Sequence, residues 1–149
     1  MTRDLPPAQR VLLDTMAMIH EASGLSPVAG RILGVLLLSR EAELSSDELS
    51  ELAEASKGTI STQTQFLVER GFVERFRKAG SRRTWYRLRP NAWLDLLERQ
   101  AENTKTIVGL ADAAIAEQRT QGEVSEALVE YRKLNRFFAK RIPALIEAW

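Results

Sequence analysis

The side chains best suited to chemistry lie between Ser56 and Arg83, and that chemistry is reversible contact with a charged polymer rather than bond-making. Residues 57 to 70, KGTISTQTQFLVER, carry apolar residues at helical spacing. Ile60, Thr64, Leu67 and Val68 are expected to face inward, and Thr59, Thr62, Gln63, Phe66 and Arg70 outward, with Ser61 and Gln65 at the flanks. Hydroxyls and amides in such number are the groups that hydrogen-bond base edges and phosphates. A helix face made only for solvation more often carries Glu–Lys pairs. Ser56 is a natural N-cap, and Gly58 leaves the first amides open to a phosphate, with Lys57 alongside. Further on, RKAGSRR places Arg77, Lys78, Arg82 and Arg83 around a Gly80–Ser81 turn. Four like charges at a hairpin tip repel one another, so folding gives no reason for them. Straddling a phosphate backbone or entering a narrow minor groove does.

The rest of the 149 residues narrows the alternatives. The hydrophobic fraction of 44% and the charged fraction of 28% are ordinary for a globular chain. Cysteine is absent, which removes disulfides, thiolate zinc sites and thiol redox chemistry, and a single histidine, His20, cannot build a metal site alone. No Ser/His/Asp or Cys/His set and no phosphate-cradling Gly-rich loop is present, so an enzyme is not expected, nor a cofactor. MTRDLPPAQR lacks the apolar core of a secretory signal, and no apolar run approaches a membrane span; the expected location is the cytoplasm. Net charge is only +1, yet residues 41 to 54 hold six acids and no base, while residues 70 to 89 hold eight of the 21 bases. A concentrated basic segment in a near-neutral chain is the footprint of a phosphate-backbone binder.

The elements that position these groups follow from caps and periodicity. A first helix is expected from residue 7 to residue 22, with Val11, Leu12, Thr15, Met18 and Ile19 on one stripe. Ser26–Pro27 opens a second that is apolar nearly all round and therefore the buried centre; Gly30 and Gly34 within it can admit a neighbouring helix. Ser45 to Glu48 is a capping box for a short third helix. The helix from Lys57 to Arg70 follows, then strands over Phe72–Phe76 and Thr84–Leu88, with Trp85 and Tyr86 expected to anchor the hairpin. A long helix from about Ala92 to Gln118 repeats Leu94, Leu97, Ala101, Thr104, Val108, Ala111 and Ile115 in steps of three and four, the seam of a coiled coil between two chains. A last helix runs from about Glu123 to Arg141, with Pro143 expected to interrupt it.

GLSPVAGRILGVLLL, LSSDELSELAEASKGTISTQTQFLVERGFVERF and GSRRTWYRL resemble the MarR-type winged-helix regulators, and specifically their GbsR-like branch. The Ser56–Lys57–Gly58 helix start and the arginine-rich WYRL strand carry the likeness to that branch. The Asp-x-Arg tip usual in the broader family is absent, which leaves Arg82 or Arg83 for the minor-groove contact. The resemblance implies a homodimer whose terminal helices interlock, with two winged lobes reading successive major grooves of a palindromic operator. Family members commonly repress, and often sense a small ligand.

The expected fold is thus mainly α with a small β-hairpin: a winged helix-turn-helix over residues 25–90, flanked by dimerisation helices over residues 1–24 and 91–149. The expected partners are double-stranded DNA, a second copy and a small-molecule effector. DNA contacts are expected from Ser56, Lys57, Thr59, Ser61, Thr62, Gln63, Gln65, Arg77, Lys78, Ser81, Arg82 and Arg83. The competing expectation is a winged helix that uses its basic tip on an acidic protein partner.

Overall fold

The computed structural model describes residues 5–149; residues 1–4 of the expected amino-terminal segment lie outside the described residues. Six helices and three short strands follow in the order α1 (Pro7–Ala22), α2 (Pro27–Leu38), β1 (Glu43–Ser45), α3 (Ser46–Leu52), α4 (Lys57–Glu69), β2 (Val73–Arg77), β3 (Thr84–Leu88), α5 (Ala92–Gln121) and α6 (Glu126–Ala148). They form two compact units, one ending at Ala92 and the other spanning Trp93–Trp149. The chain is mainly helical with one small antiparallel sheet, as its patterning requires.

α2 is the centre of the first unit. Ser26 accepts from the Val28 and Ala29 amides and Pro27 fills the first turn, so the helix begins where its apolar run begins. Ile32, Leu33, Val35 and Leu36 are buried and join Leu13, Leu49, Ile60, Leu67, Val73 and Tyr86 in one core. α1 packs on α2 through Leu13 and Ala17, not through the Val11/Leu12/Met18/Ile19 stripe, which is exposed. Gly30 and Gly34 select that face. A β-carbon on Gly30 would stand 2.7 Å from the Met16 carbonyl oxygen, and one on Gly34 would stand 2.5 Å from Leu13 Cδ2. Only glycine allows two backbones so near each other.

The capping box at α3 is complete. The Glu48 amide donates to Ser45 Oγ at 3.3 Å, and the Ser45 amide donates to Glu48 Oε2 at 2.8 Å. A third strand, β1, ends at this cap and was not expected from the sequence. The sheet order is β1-β3-β2, with Leu44 opposite Tyr86 and Phe76 opposite Trp85. β3 is therefore the middle strand, and the wing is tied to the residue that starts α3.

In the second unit α5 runs three residues past its expected end, and Ser125 rather than Glu123 caps α6 by accepting from the Leu128 amide. Pro143 does not interrupt α6, which continues to Ala148. Ile142 is buried and Ile146 is half-buried on either side of it, and that burial anchors the last turn despite the missing proline N–H. Asp112 of α5 accepts from Arg132 at 2.9 Å and Arg136 at 3.1 Å of α6. The Arg132 hydrogen bond, aided by Arg136 and opposed by partial desolvation, holds the Asp112 carboxyl below its ordinary value.

Candidate nucleic-acid interface

α4 turns one covered and one open arc to its surroundings. Ile60, Thr64 and Leu67 are buried, and the Thr64 hydroxyl is satisfied by the Ile60 carbonyl at 2.7 Å. Phe66, expected outward, is half-buried against the core, whereas Val68, expected inward, is exposed. The cause is an asymmetric covering. Thr59, Gln63 and Phe66 lie along one flank of the helix at 100° per residue, and that flank is half-covered. The open arc is thereby turned toward Ser61, Thr62, Gln65 and Val68.

Within that arc Ser61, Thr62 and Gln65 offer polar atoms to a ligand. Thr62 Oγ1 donates to the Gly58 carbonyl at 3.1 Å, leaving its lone pairs outward, and the Gln65 amide leans on Glu69 at 3.1 Å. At the start of the helix Ser56 Oγ accepts from the Thr59 amide at 3.1 Å and lies 2.8 Å from the Thr59 hydroxyl. These two hydroxyls are thus engaged with each other, and Thr59 and Gln63 are the less open of the expected base readers.

The wing cations fall into two groups. Lys78 pairs with Glu43 of β1, and its ammonium stands 3.8 Å from the Trp85 ring centroid. The Lys78 hydrogen bond, aided by Glu41 and Arg87 and opposed by desolvation, holds the Glu43 carboxyl below its ordinary range. Arg87 pairs with Glu74 directly across the sheet at 2.8 Å and lies 4.9 Å from the Phe76 ring centroid. Lys57 and Arg83 meet on one carboxylate, Asp47, at 3.0 Å and 3.8 Å. The Asp47 carboxyl is lowered mainly by its Lys57 hydrogen bond. Arg75, Arg77 and Arg82, by contrast, are exposed and make no ion pair among the described residues. Ser81 closes the tip by accepting from the Arg83 amide at 3.1 Å, and Gly80 takes a φ of 76° there. Sequence reasoning missed Glu43, Asp47 and Glu74 as partners. The signal for Glu43 and Asp47 was the acidic run of residues 41 to 54, which β1 and α3 bring beside the wing; that for Glu74 was its place as the one acid in the basic segment, opposite Arg87 in the hairpin.

The expected dimer seam on α5 divides. Ala101, Thr104, Ala111 and Ile115 are already buried within one chain, Leu94 and Val108 are half-buried, and Leu97 is exposed. Leu97 borders an apolar groove of about 580 Å³ with Phe137, Phe138, Ile142 and Leu145. The open apolar surface of this unit lies on both helices, at Trp93, Leu96, Leu97 and Leu110 of α5 and at Tyr131, Leu134, Phe137, Phe138 and Leu145 of α6. α1 adds a separate stripe of Val11, Leu12, Met18 and Ile19.

Comparison with known proteins gives a consistent answer. The MarR family model matches residues 29–85, from the first turn of α2 to the return strand of the wing. The HTH-type transcriptional regulator MmpR5 of Mycobacterium tuberculosis is 37% identical over 126 residues, spanning 82% of this chain and 74% of that protein. A crystal structure described as a transcriptional regulator is similar over 95% of this chain and 97% of its own, with 32% identity and a TM-score of 0.67.

Proposed function

This chain belongs to the MarR family of winged-helix transcriptional regulators, and we propose that it is a homodimeric repressor of the GbsR-like branch, acting on a palindromic operator. The observation that carries the proposal is the polar ridge of Ser61, Thr62 and Gln65 on α4, together with a wing whose Arg77 and Arg82 have no acidic partner among the described residues. α4 enters the major groove with Ser61, Thr62 and Gln65 toward the base edges. Ser56 and Lys57 at its start meet phosphate. Arg77 and Arg82 reach the flanking backbone or minor groove, where cations gain most.

Dimerisation is supported by the large apolar side chains left open on α1 and on α6, which a second copy would cover. A two-fold dimer places its half-sites about one helical turn, ~10 bp, or a multiple of that apart. Relief by a small-molecule effector rests on the family resemblance alone. The competing proposal, a docking module for an acidic protein, loses support because Phe66 is half-buried and α4 offers only Val68 as an exposed aliphatic side chain.

The test is fluorescence anisotropy on a random duplex and on the DNA flanking the protein's own gene, at two salt concentrations. Tight, steeply salt-dependent binding that favours the flanking DNA is expected. Absence of binding to either duplex at low salt overturns the proposal.

A further inference from the structure

Asp47 stands in an unusual position for an acidic side chain on a DNA-binding lobe. It is the second residue after the Ser45 cap, in the first turn of α3. One of its oxygens takes Lys57 Nζ, at the start of α4, and the other faces Arg83 Nε, on the wing. All three side chains are substantially exposed, so none is held there by burial. A carboxylate that gathers an ammonium and a guanidinium from the two DNA-facing elements occupies the place, and presents the charge, that a backbone phosphate would. The neighbouring cations differ: Arg77 and Arg82 have no acidic partner among the described residues. Two kinds of cation therefore exist on one surface, some free to attract any duplex and two withheld.

We propose that Asp47 is a specificity-determining residue that occupies Lys57 and Arg83 as an internal stand-in for phosphate, releasing them only to a backbone phosphate set in register by α4. This inference rests on the DNA-binding proposal above. On a random duplex, loosely held phosphates compete poorly with a carboxylate already in place, and two cations stay silent. On an operator, base contacts from α4 fix the backbone beside α3 and the wing, and a phosphate replaces Asp47. Asp47 lowers random binding more than operator binding, and so raises the ratio between them.

The experiment compares wild-type protein, Asp47→Asn and Asp47→Ser on two probes: a duplex that the wild-type protein selects from a random pool, and a scrambled duplex of equal composition. Folding is checked by circular dichroism, and the serine variant covers a loss of helix stability specific to asparagine. On the scrambled duplex, both variants are expected to bind roughly three- to tenfold tighter and to steepen the log–log salt slope by about one to two. On the selected duplex affinity changes by less, so the specificity ratio falls. In a Lys57→Gln/Arg83→Gln background the same changes at Asp47 are expected to leave the salt slope unchanged. An equal steepening in that background, or weaker binding of both probes by the Asp47 variants, overturns the proposal. Failure of wild-type protein to bind any duplex at low salt removes the DNA-binding proposal and this one together, whereas wild-type binding without the ratio change removes only this one.

Discussion

Replacing Gly30 by alanine adds one methyl group where α1 and α2 touch. That methyl would lie 2.7 Å from the Met16 carbonyl oxygen, 2.9 Å from Ala17 Cα and 3.1 Å from Ala17 N. All three are backbone atoms, so no side chain can swing aside and α1 as a whole must retreat. Ordinary contact requires roughly 0.5–1 Å of separation beyond this, and a gap of that size forfeits a quarter to a half of each dispersion well along the interface. Leu13 and Ala17, buried against α2, are the residues that lose those contacts. Overpacking of this kind costs about 1–3 kcal/mol. The gain in helix propensity from glycine to alanine offsets about 0.5–1 kcal/mol of it. The net expectation is a loss of ~1–2 kcal/mol, with the urea midpoint lowered and the slope unchanged at fixed protein concentration.

Two other glycines calibrate the measurement. Gly109, in the middle of α5, has open space around it, so Gly109→Ala realises the propensity gain alone and raises stability by about 0.5–1 kcal/mol. Gly34 would press on Leu13 Cδ2, the end of a side chain, at 2.5 Å. Leu13 can rotate but is fully buried, so Gly34→Ala falls between the other two. A Gly30→Ala protein as stable as wild type, or shifted upward like Gly109→Ala, would falsify the close backbone approach of α1 and α2.

Other perturbations read the candidate interface and the second unit. Arg82→Ala should flatten the salt slope of DNA binding by about 0.9, whereas Lys78→Ala, whose ammonium is committed to Glu43 and Trp85, should change it far less; equal slopes in the two variants would refute the division of wing cations. Gln65→Ala should cost ~1–3 kcal/mol at one base pair of the operator, and uniform weakening on all sequences would reassign Gln65 to backbone contact. Asp112→Asn tests the α5–α6 tie through its pH dependence. Because the folded Asp112 carboxyl lies below its ordinary value of 3.8, its contribution is present above that pH and disappears as acid protonates it at still lower pH. Melting temperatures of wild type and Asp112→Asn should therefore differ at neutral pH and converge on acidification below about pH 4. A gap that persists unchanged into strong acid would exclude the ion pair as its source.

Local signals in this chain were legible, and long-range ones were not. Ser26, Ser45 and Ser56 announce three helix starts because a cap is chemistry between residues two or three apart, and each accepts the expected backbone amide. α2 declared its burial by having no polar face. β1 stayed hidden because three residues carry no usable period; Glu43–Ser45 becomes a strand only by pairing with Trp85–Arg87, some forty positions away. The rotation of α4 was hidden for a related reason. Phe66 is placed outward by angle alone, but a large ring at the edge of the covered arc reaches back to the core. α1 carries two apolar stripes, and four apolar side chains, Val11, Leu12, Met18 and Ile19, lie on the exposed one. Its packing face was set by the two glycines of α2, whose reason for being small is visible only once the partner backbone is in place.

Charge placement links these hidden contacts to function. A chain of net charge +1 needs a local excess of cations to hold a phosphate backbone, yet uncompensated cations on a small hairpin repel and loosen it. The structure divides the burden by partner. Lys78, just past the end of β2, and Arg87, in the middle of β3, are each held twice, once by a carboxylate and once by an aromatic ring. Side chains fixed in this way have little mobility left to lose, so in the proposed complex the hairpin would be ordered beforehand and its unpaired arginines would meet the backbone at lower entropic cost. Arg77 and Arg82 stand without an ion-pair partner among the described residues, the nearby acids Glu43, Asp47 and Glu74 being engaged by Lys78, Lys57, Arg83 and Arg87. Near-neutrality of the chain and a cationic wing tip are therefore one arrangement: the acidic residues stiffen the platform, and the few cations they leave unmatched are the ones aimed outward.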